Sequence, residues 1–156
     1  MTEDRIAKRY AHSLYMLAAE RNETEAFRDE FRKLDSLLSE SRDLVLFLQN
    51  PIISRGKKKV TLTKIFEGKT TESIFKLILL LAAKGREGLL PLIAKMFIRE
   101  YNEQHNITPV HLVSAAELPS ADQDAIKARV AKVLDTTVEL STEVDEALIG
   151  GFVLKM

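Results

Sequence analysis

The stretch EYNEQHNITPVHLVSA, Glu100 to Ala115, is where the apolar periodicity of the chain changes. Up to Gln104 it belongs to a helical pattern in which Leu92, Ile93, Met96, Phe97 and Tyr101 recur at helical steps. From Ile107 the step drops to two. Val110, Leu112 and Ser114 alternate within a β-branched run, which predicts a strand over Ile107–Ala115. A domain boundary is therefore expected around His105–Thr108.

Upstream of that point the chain reads as helices only. The first is expected from about Asp4 to Glu20. The second starts at NETE, where Asn22 can cap and Glu25 follows three residues on. Phe27, Phe31, Leu34 and Leu38 make its inner face. SRDLVLFLQ predicts a short third helix that stops at Asn50, because Pro51 disfavours the α region for the residue before it. Ser54 caps a fourth, through RGKKKVTLTKIFEG. The fifth, TESIFKLILLLAAK, takes Thr70 or Thr71 as its cap and Gly85 as its C-terminal stop. It carries Ile74, Phe75, Leu77, Ile78, Leu79, Leu80 and Leu81 on all sides, so it is buried by its own domain or shared with a partner. Burying five such side chains contributes roughly 10 kcal/mol by transfer. The sixth helix runs from about Leu89 to Gln104, with Pro91 tolerated in its first turn.

Downstream, LPSADQDAIKARVAKVL predicts a helix capped by Ser120. TTVELSTEVD predicts a second strand, and GGFVLKM a third at the chain end. The expected fold is mainly α: a six-helix N-terminal domain over residues 1–105, then a small α/β domain over 106–156.

Composition narrows the function. The 156 residues include 23 Lys+Arg and 23 Asp+Glu, so the chain lacks the basic field of a general polyanion binder. With 46% hydrophobic residues it can bury a core. It has no cysteine, which excludes disulfides and thiolate metal sites. MTEDRIAKRY is not a secretory signal, and the longest apolar run, Leu77–Ala83, is far short of the ~20 residues that span a bilayer. A soluble protein of a reducing compartment is expected.

No catalytic constellation stands out. His12, His105 and His111 fall on separate elements, and no phosphate-binding loop is present, so neither cofactor nor metal is expected. RGKKK (Arg55–Lys59) is the densest basic cluster. It lies at a helix N-terminus, where cations oppose the macrodipole, and reads as a solvated face. KGREGL (Lys84–Leu89) holds a G-x-x-G, which RNA-binding KH modules use to clamp a backbone. Here it reads as a tight helix–helix turn with Gly85 left-handed.

The first helix is the more informative element. Ala7, Tyr10, Leu14 and Leu17 form one apolar stripe, and Ala11, Tyr15 and Ala18 a second, with Ile6 between them. Either both stripes are core, or one is a groove for an amphipathic helix of another protein, with Ala7, Ala11 and Ser13 allowing close approach.

Five segments occur in an order that is similar to a known family: AKRYAHSLYMLA, NPIISRGKKK, LLLAAKGREGLLPLIAKMFIREYNE, VSAAELPS and DEALIGGFVLKM. The chain resembles the delta subunit of bacterial F-type ATP synthases, whose mitochondrial counterpart is the oligomycin-sensitivity conferral protein. The resemblance implies a non-catalytic stator subunit that joins the catalytic head to the peripheral stalk. It implies two sets of partners: N-terminal helices of the alpha subunits for the N-terminal domain, and the stalk b subunits for the C-terminal domain. It also implies a peripheral place on the cytoplasmic side of the bacterial plasma membrane. Carried onto this chain, the alpha-subunit groove takes Ala7, Tyr10, Ala11 and Leu14 from the first helix and Leu77, Leu80 and Lys84 from the fifth. Tyr10 is the expected anchor. Family members usually continue past the Gly-Gly-Phe strand, so the α/β domain is expected to be incomplete at Met156, with an unpaired edge at Phe152–Lys155. A second reading is a helical RNA-binding module resembling transcription antitermination factors, acting through RGKKK and KGREG.

Overall fold

Helix α1 (Glu3–Glu20) stops where Asn22 turns left-handed at φ 56°, and the amide of Glu23 donates back to Ala18 O at 2.8 Å. Asn22 thus closes α1 instead of capping the next helix, because a short polar side chain tolerates this conformation. The computed structural model describes residues 2–156, which divide into two compact units after Tyr101, within a helix and a few residues before the expected boundary.

The first unit contains α1, α2 (Thr24–Glu40), α3 (Arg42–Gln49), α4 (Arg55–Phe66), α5 (Glu72–Lys84) and the body of α6 (Leu90–Gln104). A short 3-10 turn, Glu87–Leu89, leads into α6. The Ser41 and Ser54 hydroxyls accept from the amides of Leu44 and Lys57 and cap α3 and α4. Thr71, one of the two residues expected to cap α5, holds the cap position, but its amide and hydroxyl donate hydrogen bonds to the Glu30 carboxylate of α2 and its hydroxyl caps no amide of α5. Gly85 ends α5 at φ 65°, as its position in the sequence suggests.

Phe97 of α6 is fully buried and lies at the centre of the core. Its ring stacks on Phe31 with centroids 4.3 Å apart, and Phe27 and Tyr15 lie at 6.2 and 6.4 Å. The buried stripe of α1 is Ala7, Ala11, Leu14 and Ala18, a regrouping of the two stripes read from periodicity. Ile6, Tyr10 and Tyr15 are half-buried shoulders packed against this core. The alanines let α1 approach its neighbours closely, and the larger residues fall to the sides. On α5, Ile74, Leu77, Ile78, Leu81 and Ala82 are buried, and Leu80 is exposed.

The second unit is a β-α-β-β arrangement: β1 (Ile107–Ser114), α7 (Ser120–Leu134), β2 (Thr137–Val144) and β3 (Phe152–Lys155), with sheet order β2-β1-β3. β1 and β2 are parallel because α7 carries the chain back across the sheet. β3 returns antiparallel, pairing Leu112 with Leu154. Val110, Leu112, Val113 and Val138 supply the buried apolar residues. α7 buries none of its residues fully, and Val133 on it is 77% exposed. β3 pairs with β1 alone among the described residues, so its other edge carries free backbone groups. Ser120 is the first residue of α7 rather than its cap; Pro119 takes the cap position, and Gln123 donates to Leu118 O.

Candidate functional site

Helices α1 and α5 lie side by side and antiparallel. At one end Arg21 Nη1 donates to Ser73 Oγ at 3.0 Å, and at the other Arg86 Nη1 donates to the Tyr10 hydroxyl at 3.4 Å. The seven residues assigned to a groove on these helices separate by burial. Ala7, Ala11, Leu14 and Leu77 are inside the bundle core. Tyr10 is half-buried, and Leu80 and Lys84 are exposed. The first four are therefore used to hold α1 and α5 in their own domain. A docked segment would meet the other three directly.

Tyr10 lies on a cleft of about 370 Å³ lined by Ile6, Arg9, Tyr10, Ser13 and Arg86. Ile6, Tyr10 and Ser13 follow at steps of four and three, so they form one shoulder of α1 beside its buried stripe. Ser13 Oγ donates to the carbonyl of Arg9 one turn back, which turns its hydroxyl onto the helix backbone. Arg86 enters from the turn after α5. The cleft therefore has an apolar body and a cationic rim.

The basic cluster and the glycine turn belong to one structure, which periodicity did not reveal. Lys58 is 4% exposed and Glu87 5% exposed; Lys58 Nζ lies 2.5 Å from Glu87 Oε1 and donates to Leu48 O at 2.7 Å. A Cβ on Gly85 would meet the Arg55 guanidinium at 3.0 Å, so that guanidinium lies against the end of α5. Lys58 thus faces inward onto the C-terminal end of α3, while Arg55, itself exposed, lies across the C-terminal end of α5. RGKKK is not a uniformly solvated face, and the reading of RGKKK and KGREG as a joint nucleic-acid surface loses Lys58, which is buried and paired with Glu87. The one signal in the sequence was the placing of cations at a helix N-terminus.

Two of the three histidines, His12 and His111, tie elements of the fold together. His12 Nδ1 lies 3.0 Å from Glu100 Oε1 and links α1 to α6. Beside it, burial first, then Tyr101 and Glu100, hold the Tyr15 hydroxyl above the usual tyrosine range. His111 of β1 bonds Ser141 through Nδ1 and Glu143 through Nε2, so both ring nitrogens tie β1 to β2. Among the described residues no cluster of His, Asp and Glu could hold a metal ion, and no helix is long and apolar enough to cross a membrane.

The profile of the ATP synthase delta (OSCP) subunit matches residues 6–156. The ATP synthase subunit delta of Cytophaga hutchinsonii is 34% identical over all 156 residues, which cover 85% of that protein. That of Christiangramia forsetii is 31% identical over the same length, covering 84% of it. Among solved structures, a chain of the Toxoplasma gondii mitochondrial ATP synthase hexamer superposes with a TM-score of 0.76 at 21% identity. The match covers 99% of this chain and 84% of that one, a likeness of fold.

Proposed function

The chain belongs to the ATP synthase delta (OSCP) subunit family, and from that premise we propose that it is a non-catalytic connector between the catalytic head and the peripheral stalk of an F-type ATP synthase. The first unit takes the head, through N-terminal helices of the alpha subunits. The second unit takes the stalk b subunits. The protein is then peripheral to the membrane, on the cytoplasmic side in a bacterium, and held there by the complex.

The observation that carries this reading is the surface along α1 and α5. Tyr10 and Ile6 offer apolar area beside the buried stripe, and Leu80, 45% exposed, offers more on α5. Lys84 continues the Leu77–Leu80 face by one turn. Ala7, Ala11, Leu14 and Leu77 support this surface from beneath. An amphipathic helix laid in the seam would cover the exposed leucine and the tyrosine ring together. Tyrosine suits an anchor because it buries a large rigid area at small entropic cost and keeps a polar tip.

Titration calorimetry of the full chain with a synthetic peptide of the alpha-subunit N-terminus tests the assignment. Binding at micromolar or tighter concentration is expected. Tyr10→Ala should weaken it by about 2 kcal/mol, the size of an interface hot spot. No heat of binding at tens of micromolar peptide would remove the groove. Unchanged affinity in the Tyr10 variant would move the interface off this helix shoulder.

A further inference from the structure

We propose that the segment held by the Tyr10 cleft carries carboxylates that pair with Arg9 and Arg86. This inference rests on the docking reading above and specifies the chemistry of the partner. The cleft is lined by two guanidinium groups among five residues. Lys84 precedes Arg86 by two positions, across the left-handed Gly85. None of Arg9, Lys84 and Arg86 has a carboxylate within ion-pair reach among the described residues. Three unpaired cations at one end of a helix seam repel one another, and that repulsion is relieved when an acidic group arrives.

The opposite end of the seam differs. There Glu72 pairs with Lys76, and Arg21 donates a hydrogen bond to Ser73 Oγ. Arg21 acts there on the Glu72 carboxyl, whereas at the Tyr10 end Glu3 lines a neighbouring cleft with Arg86 without forming an ion pair, so the larger cationic excess lies at the Tyr10–Arg86 end and a docked helix is oriented by its own charge. Its acidic turn belongs at the Tyr10–Arg86 end. Guanidinium is suited to this task, since its planar fork donates two parallel hydrogen bonds to a carboxylate. Arg86 already donates one proton to the Tyr10 hydroxyl, which leaves other donors for the partner.

An anionic ligand of another class, a single-stranded nucleic acid, fits less well. The body of the cleft is Ile6 and the Tyr10 ring, Lys58 is turned inward onto Glu87, and the whole chain carries no net charge. Charge complementarity here extends over one end of a groove and not over a face.

Calorimetry of the full chain separates this inference from its premise. Three titrants are compared: the alpha-subunit N-terminal peptide, the same peptide with every Asp and Glu replaced by Asn and Gln, and an oligouridylate. The native peptide should bind, and more weakly as sodium chloride rises from 50 to 500 mM. The amide peptide should bind about tenfold more weakly, the scale of one charge-assisted pair. Arg86→Gln should weaken the native peptide to a similar degree and leave the amide peptide unchanged. Circular dichroism checks that this exposed-site variant remains folded. Failure of the native peptide to bind overturns the docking reading, and the inference with it. Equal affinity for native and amide peptides, or an alpha-subunit segment that contains no Asp or Glu, overturns the inference and leaves docking intact. Oligouridylate that competes with the native peptide and loses affinity in Arg86→Gln also overturns it.

Discussion

Replacing Lys58 with methionine should unfold the first unit far more readily than any surface change. The side chains are similar in length and both are tolerated in a helix, so α4 itself is little affected. The damage is electrostatic. Lys58 Nζ supplies the partner for Glu87 Oε1 and for Leu48 O, and Glu87 Oε2 is already without one. In Lys58→Met both oxygens of a carboxylate 5% exposed are left unbonded, and the carbonyl of Leu48 loses its donor. Breaking a buried pair from one side costs about 3–5 kcal/mol, because the remaining charge is stranded in a poorly solvating interior. For a unit of this size each kcal/mol moves the midpoint by roughly 4–8 °C, so a loss of at least about 12 °C is expected.

The companion variant decides whether the charge is responsible. Lys58→Met with Glu87→Leu removes both ions and fills the space with hydrocarbon. Such exchanges are often neutral, or stabilising by about 1–4 kcal/mol. The double variant should therefore recover most of what the single one lost. Urea unfolding followed by far-ultraviolet circular dichroism gives all three stabilities. If Lys58→Met costs less than about 1 kcal/mol, the pair is not buried as described. If the double variant is as unstable as the single one, the loss comes from packing around α4 and the stranded-charge argument fails.

Four other substitutions probe separate features. Phe97→Ala removes the ring that stacks on Phe31 and touches Phe27 and Tyr15, and should cost about 3–5 kcal/mol in the same urea assay. Gly85→Ala places a Cβ against Arg55 at a left-handed φ of 65° and should cost about 1–2 kcal/mol, read as a lower thermal midpoint. Gly56→Ala, in α4 with nothing within 4 Å, should raise that midpoint instead. Lys76→Ala should return the Glu72 carboxyl toward the usual glutamate range, measured by carbon-detected NMR titration. Its hydrogen bond to Lys76, then the Lys76 charge, hold the carboxyl below that range. A depressed folded value means that the pair contributes at neutral pH and that this contribution fades as pH falls through the folded value. Lys76→Ala should therefore narrow the stability difference between neutral and acidic pH.

Several helices were legible because a periodic apolar face is bounded by a serine cap, a proline or a glycine. Ser54, Pro51 and Gly85 mark ends where the structure has them. The change of period at Ile107 was legible for the same reason, since both patterns are local. Features that depend on two elements at once were not. Asn22 looked like the start of α2, and its left-handed turn closes α1 because the Glu23 amide finds Ala18. Thr71 looked like a self-sufficient cap, and a carboxylate from α2 satisfies it. The apolar arc of α1 was seen, but its division into core and shoulder was not. That division depends on which residues are small enough to let neighbouring helices close in, and the close packing falls at Ala7, Ala11 and Ala18.

The basic start of α4 shows why a local penalty can belong to a stable whole. Cations at Arg55 and Lys58 oppose the dipole of their own helix. Lys58, however, donates to Leu48 O, in the last turn of α3, and the Arg55 guanidinium lies against Gly85, at the end of α5. Both are C-terminal ends, where carbonyls lack helical partners and positive charge is favourable. The cost to one helix is thus offset by the ends of two others, and Glu87 neutralises what remains at Lys58. The turn fixed in this way carries Arg86 beside Tyr10. A cluster that looked like a nucleic-acid patch is, at its buried Lys58, what ties down the turn that carries the cleft's guanidinium. On the connector reading, rigidity at that point matters, because a joint under torque gains affinity from groups already held in place before the partner arrives.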